Sequence, residues 1–411
     1  MKHRYRYVGL TIVVYLVLFG CALSARGDSE RTPSPDLLFE IIGIVEKNFY
    51  NPQKIETDFP ALKLACNKKL QGISGQNEFS NAVNAMLRGL NASHTYYLCP
   101  QDYEYYHLAS IFSSLPEIQE VFKQKEIQYP TVGIITETID LKVFIASVLP
   151  GGPADQAGLL QGDEIISVNG APYRPVESFE AHIGIELPFI IRRTEYSDLR
   201  TVLVMPKMIN PRTEMLDAEQ ASIRVIEREG KRIGYIHIYS YAGEEYHQVL
   251  LDAVSWGTIK DADSLIIDLR YGLGGANPDY LNMFNRKVPV IVSTDNTGET
   301  STYDPQWRKP AVYLVNKTTR SGKEILAFGA KKYHLAAVIG ERTAGAVLGA
   351  RLFPLSNGDL LYLAVRHSTF DGADLEGSGV PPDVEVPMDI RYSNGNDIQL
   401  EKSIEYLLMR N

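Results

Sequence analysis

The sequence predicts an α/β protein of several domains: a helical N-terminal region, a β-rich middle unit and a β/α core. Three observations predict it. At 411 residues the chain is long for one domain, and 45% hydrophobic against 22% charged residues supply apolar material for more than one core. Residues 36–89 carry apolar side chains at helical spacing. Between Leu265 and Ala350, three short apolar runs (LIIDL, AVYLVN and LAAVIG) each empty into a loop containing Gly. That is the pattern of a parallel sheet, whose functional loops collect at the carboxyl ends of the strands.

Residues 1–24 read as a targeting segment. Lys2, His3, Arg4 and Arg6 form a basic head, and Tyr7–Phe19 is an apolar run of 13 residues, too short for a comfortable membrane span. Three endings stay open. Leu18-Phe19-Gly20-Cys21 resembles a bacterial lipobox, which would leave Cys21 as a lipid anchor; cleavage after Ser24 is the second; an uncleaved anchor is the third. Each puts the rest of the chain outside the cytoplasm, in the cell envelope on the periplasmic side of a bacterium. Residues 25–35 are a polar, Pro-containing tether. Cys66 and Cys99 then remain, either paired, as an export compartment permits, or as two buried thiols. The net charge of −9 argues against nucleic acid as a partner.

From 36 to 130 the chain reads as a helical region and connector. Leu37, Leu38, Ile41, Ile42 and Val45 share one helix face, as do Phe79, Val83, Met86 and Leu87. Gly89 stops the second helix, and Asn91-Ala92-Ser93-His94-Thr95 follows as a loop. Residues 131–206 form the middle unit. Val143–Val148 is a strand, Pro153 suits a first helical position, Gly158 suits the residue after a short helix, and Asn169-Gly170 a tight hairpin turn. Residues 207–232 connect to the core at 233–390, and 391–411 form a C-terminal helix.

The stretch VFIASVLPGGPADQAGLLQGDEIISVNG resembles a PDZ domain. PDZ domains add a peptide as a strand and capture its terminal carboxylate on backbone N–H groups. The resemblance implies that Val132, Gly133 and Ile134 form that loop.

Ser321 stands between a strand and a segment of good helix formers, Gly322–Lys332. A serine there caps a helix or acts as a nucleophile, since helix starts offer unpaired N–H groups and a positive dipole end. Lys323 is two residues on. Positions i and i+2 of a helix do not face each other, so Lys323 reads as a solvated side chain. There is no HExxH, CxxC, GxGxxG or P-loop, so neither a metal site nor a cofactor is expected.

The order of units, with DLRYGLGG, VNKTTRSGKEI, VIGERTAGA and EGSGVPPD in the last, resembles the tail-specific, or C-terminal processing, serine peptidases. The resemblance spans residues 36–388 and implies a crotonase/ClpP-like β/α core. It places the nucleophile at Ser321, just before Glu324-Ile325. The processing proteases carry a lysine base where this chain has Ala346, which excludes the usual Ser/Lys dyad. The tricorn-like branch instead implies His94 as general base, with Ser93 and Glu376 orienting the imidazole and stabilising its charged form. Gly322, Gly274 and Gly275 are the oxyanion-hole candidates, because glycine lets backbone approach a substrate closely. The implied activity is an exported serine endopeptidase acting on polypeptides recognised through their C-terminal ends. The rival from another class is a non-catalytic PDZ adaptor with an inactive peptidase core. The oligomeric state is not legible.

Overall fold

A computed structural model describes residues 35–72, 75–304 and 306–410. The targeting segment with Cys21, and the tether up to residue 34, lie outside these residues.

The N-terminal region begins with four helices, Pro35–Asn48, Pro52–Thr57, Phe59–Leu70 and Gln76–Arg88. Leu38, Ile41 and Val45 of the first and Phe79, Val83 and Leu87 of the last are buried, as their spacing requires. Their shared apolar face does not close on itself. It packs on Leu348, Leu361, Leu363 and Ala364 of the core. The strand Tyr96–Leu98 also joins Leu360–Arg366 and Gly349–Pro354 in a three-stranded sheet. The N-terminal region is thus built into the core, which carries the loop at residues 91–95 to the segment around residue 348. Cys66 and Cys99 are both buried free thiols.

The middle unit is a five-stranded antiparallel sheet in chain order: Ile134–Ile139, Lys142–Val148, Glu164–Val168, Leu187–Arg192 and Arg200–Val204. Pro153 opens its short helix, and Gly158 follows with φ +80°. Asn169 and Gly170 have φ of +50° and +77°, and Val168 and Ala171 exchange hydrogen bonds of 2.9 and 3.0 Å across them, a minimal hairpin turn. Tyr129–Thr131 pairs with Lys207–Ile209 at the base of the unit. Phe144 and Ala146 on its outer face bury against Tyr271 and Ile390 of the core.

The core sheet has six strands in the order Val384–Glu385, Ala337–Gly340, Ala311–Val315, Ser264–Asp268, Lys231–His237 and Arg224–Arg228. All pairings are parallel except the last. Two sequence-predicted boundaries move. Residues 207–232 are not only a connector: they hold the helix Pro211–Ser222 and the strand Arg224–Arg228, which completes the core sheet. Its three charged residues of five disguise it, because an edge strand needs only one covered face. The C-terminal helix is Ile398–Leu408 rather than starting at 391, set by Asp397, whose side chain accepts the Leu400 N–H. Arg270, 2% exposed, donates to Asp268, Asp397 and Gln399 and so ties that helix to the end of a central strand. Burial works against the Asp268 charge, but Arg270 outweighs it and holds the carboxyl below its usual range.

Candidate active site

The strand Ala311–Val315 runs into a loop wired by its own side chains. Asn316 Oδ1 accepts from the Thr318 N–H at 2.9 Å and from the Thr318 hydroxyl at 2.7 Å, and Thr319 Oγ1 accepts the Asn316 N–H at 3.1 Å. The loop delivers Ser321 to the start of the helix Gly322–Lys332 with φ +57° and ψ −131°. A non-glycine residue there is held in a sparsely populated conformation.

Glu324 holds this turn. Its carboxylate, fully buried, accepts from the Ser321 N–H (3.2 Å), the Thr343 hydroxyl (2.5 Å) and the N–H groups of Gly345 (2.7 Å) and Ala346 (2.8 Å). Burial still leaves its pKa raised, against these bonds. The Ser321 N–H also donates to the Ala346 carbonyl at 2.9 Å. The position that would carry a lysine therefore lies directly beside Ser321, but contributes only backbone.

His94 reaches the same place from the N-terminal region. It is 7% exposed and has φ +51°. Its Nδ1 lies 2.8 Å from the Leu348 carbonyl oxygen. A carbonyl only accepts, so Nδ1 donates, and the neutral ring carries its lone pair on Nε2. Burial lowers the His94 pKa below the ordinary histidine value, opposed by the Leu348 bond. His94 and Ser321 line one cavity of about 130 Å³, together with Gly274, Gly275, Arg320 and Tyr362.

Glu376 bonds to Ser93 and Val347 rather than directly to the imidazole. Its oxygens accept the Ser93 N–H and hydroxyl, both at 2.9 Å, and the Val347 N–H at 3.0 Å. The Ser93 hydroxyl oxygen in turn accepts the Leu348 N–H at 3.4 Å. Glu376 and Ser93 thus join the two backbone segments that carry His94 and its carbonyl partner. Glu376 also acts on His94 through space, raising its pKa against the larger effect of burial.

Gly274 lies against Ser321: a Cβ there would sit 2.5 Å from Ser321 Cβ and 2.9 Å from the Arg320 carbonyl. Gly275, with φ +102°, lies against Ala242, and Gly322 against Ala276. The N–H groups of Gly274 and Gly275 have no acceptor among the described residues, so they remain available to a ligand. In the middle unit, Val132 is fully buried and its carbonyl accepts the Ala154 N–H at 2.9 Å. The Gly133 N–H is taken by the Thr131 hydroxyl at 3.0 Å, and Ile134 begins the edge strand.

Lys323 is the clearest departure from sequence reasoning. It is 0% exposed rather than solvated, and its Nζ donates to the carbonyls of Tyr239 (3.1 Å) and Tyr271 (2.9 Å). Burial lowers its pKa to about 7. It does not line the cavity shared by Ser321 and His94. The i, i+2 argument describes only what one helix residue does to another; it says nothing of what the helix is packed against. Arg320 carries no motif signal of its own in the sequence. It lines the cavity and pairs with Glu104 of the helix Tyr103–Ile111 at 2.6 Å.

Residues 232–386 fit the family model Peptidase family S41, and residues 124–186 the PDZ domain. The chain is 26% identical over 352 residues to a carboxyl-terminal-processing protease of Picosynechococcus sp., covering 81% of this chain and 80% of that one. It is 25% identical over 355 residues to a carboxyl-terminal-processing protease of Synechocystis sp., covering 82% and 78%. Among solved structures, the tricorn protease is similar in fold, with a TM-score of 0.53 at 18% identity over 91% of this chain and 36% of that one. A PDZ domain ahead of this β/α core defines a serine-type endopeptidase that acts on polypeptides. The last unit thus carries a match to peptidase family S41, and the chain is similar to carboxyl-terminal-processing proteases over about four-fifths of its length. Similarity to proteases over four-fifths of the chain does not favour a non-catalytic PDZ adaptor.

Proposed function

We propose that the chain is an exported endopeptidase in which Ser321 is the nucleophile and His94 the general base, and that it acts on polypeptides engaged through their C-terminal ends. The observation that carries this reading is the cavity walled jointly by Ser321, His94, Gly274 and Gly275. Ser321 Oγ attacks the scissile carbonyl while His94 Nε2 takes its proton. The imidazolium then returns that proton to the leaving amine, and water resolves the acyl-enzyme by the same steps in reverse. The N–H groups of Gly274, Gly275 and Gly322 donate hydrogen bonds to the negative charge that develops on the carbonyl oxygen. Glu376 and Ser93 keep the His94 segment registered on Val347-Leu348 and favour the charged ring.

The PDZ unit binds the chain end at Val132, Gly133 and Ile134. For Gly133 to donate to a carboxylate, the Thr131 hydroxyl must first release its N–H. Export, to the cell envelope of a bacterium, rests on the basic head and apolar run of residues 1–24. Attachment through Cys21 is tested by fatty-acid labelling of the parent and of Cys21→Ser; equal labelling of both, or of neither, overturns it.

The assay is hydrolysis of casein and of unfolded peptides by the parent, Ser321→Ala and His94→Ala, with fluorophosphonate labelling located by mass spectrometry. The expected result is parental turnover, label on Ser321, and loss of turnover in both variants. Hydrolysis that survives both changes overturns the assignment.

A further inference from the structure

We propose that Lys323 is a positioning residue that holds the oxyanion-binding loop against Ser321. The proposal deepens the peptidase reading above and rests on it. Lys323 stands on the first turn of the Ser321 helix and is fully buried, with its Nζ against the loops at residues 239–243 and 270–276. There its Nζ donates to the Tyr239 and Tyr271 carbonyls at 3.1 and 2.9 Å.

These two carbonyls matter because of what they hold. Tyr271 has φ +56°. A bulky residue in the left-handed region is strained and persists only where its surroundings over-determine it. Here the determinants are the Thr318 hydroxyl, which accepts the Tyr271 N–H at 2.8 Å, and Lys323, which donates to the Tyr271 carbonyl. Immediately after this strained residue come Gly272, Leu273, Gly274 and Gly275. The Tyr239 carbonyl is the second tether: it also accepts the Leu273 N–H at 2.7 Å, and the Tyr241 N–H donates to the Gly274 carbonyl at 3.1 Å. One amino group thus bridges both loops, and the second of them brings Gly274 and Gly275 to the wall of the Ser321 cavity. Without it, two buried carbonyls converge with no shared donor.

The charged groups facing Lys323 are Asp268 from the neighbouring strand, Arg320 from its own loop and Glu219 from the helix Pro211–Ser222. None is within ion-pair distance of Nζ among the described residues, so the two carbonyls are its direct partners. A residue that merely filled the interior would not need donors aimed at these atoms, and a stem with a methyl end would serve.

The test is Lys323→Met, which keeps the stem and removes the donors. It is assayed for kcat, KM and inhibition by a peptide boronate, whose tetrahedral adduct occupies the oxyanion site. The expected result is a fall in kcat of about 100-fold at a KM within twofold of the parent, with boronate inhibition weakened by a similar factor. A folded Lys323→Met with parental kcat and boronate affinity overturns the proposal. If Lys323→Met does not fold, Lys323→Gln replaces it. Its shorter amide reaches one carbonyl at most, so kcat falls at least about tenfold at unchanged KM; parental kcat again overturns the proposal. Ser321→Ala in the same series separates the two readings. Residual turnover there defeats the Ser321 mechanism itself, whatever Lys323 does.

Discussion

Glu376 grips Ser93 twice, through the N–H to one carboxylate oxygen and the hydroxyl to the other, both at 2.9 Å. The next residue is His94, so this pair fixes where the imidazole stands without touching it. Glu376→Ala should then act on catalysis through position. We expect kcat/KM to fall by about 10- to 100-fold, as for supporting groups that orient a catalytic histidine. Glu376→Gln, which keeps one acceptor, should lose less. Kinetics of the two variants check this; parental rates for Glu376→Ala would remove Glu376 from the site.

The acid limb of activity should lie lower than an exposed histidine would set. Burial lowers the His94 pKa below its ordinary value of 6.5, so the neutral base survives into more acidic solution. The sign for stability agrees. The folded pKa is depressed, so His94 contributes stability above the unfolded value that is lost as pH falls through the folded one. A kcat/KM profile from pH 4 to 9 checks it: the limb should fall below pH 6.5 and should be missing from whatever residual rate His94→Ala retains.

Gly274→Ala should inactivate more than it unfolds. The added Cβ would meet Ser321 Cβ at 2.5 Å and the Arg320 carbonyl at 2.9 Å, neither of which is a flexible end. Overpacking of this kind costs about 1–3 kcal/mol, while displacement of an oxyanion donor costs about 100-fold or more in kcat. Thermal unfolding beside turnover separates the two effects.

Glu219 should make the protein less stable as pH rises. It is 0% exposed, and neither carboxylate oxygen has a hydrogen-bond partner among the described residues. Burial raises its pKa from 4.5 to about 9, opposed by Lys323. A raised folded pKa means stability that is full below about pH 4.5 and lost progressively up to about pH 9. Glu219→Met removes the ionising group at similar volume. It should raise Tm at pH 8 by more than at pH 5, as expected when an unpaired buried acid becomes apolar. Equal Tm changes at the two pH values would contradict this.

Local chemistry made much of the fold legible. Pro153, Gly158 and Asn169-Gly170 mark turns whose backbone demands are met by those residue types, so the PDZ unit could be read nearly residue by residue. The strand-then-loop runs after Leu265 announced a parallel sheet because strands covered on both faces are continuously apolar. The strand Arg224–Arg228 escaped because one face stays wet, and its partner lies in the core sheet rather than in its own pattern.

The sequence by itself determined the elements, the order of the units and the residue types offered for catalysis: Ser321 before a helix, Ser93-His94 in a loop, glycines at 274 and 275, and Ala346 in place of a lysine. Only the tertiary structure decided how they act. It set the Leu348 carbonyl as the partner of His94, 254 positions away in the chain, put Glu376 on Ser93, and turned Lys323 inward onto two carbonyls. The reason is physical. Every residue carries the same backbone carbonyl, so a sequence cannot mark which one a side chain will meet. That choice is made when the N-terminal helices bury their apolar face on the core and distant backbone is brought within hydrogen-bond range.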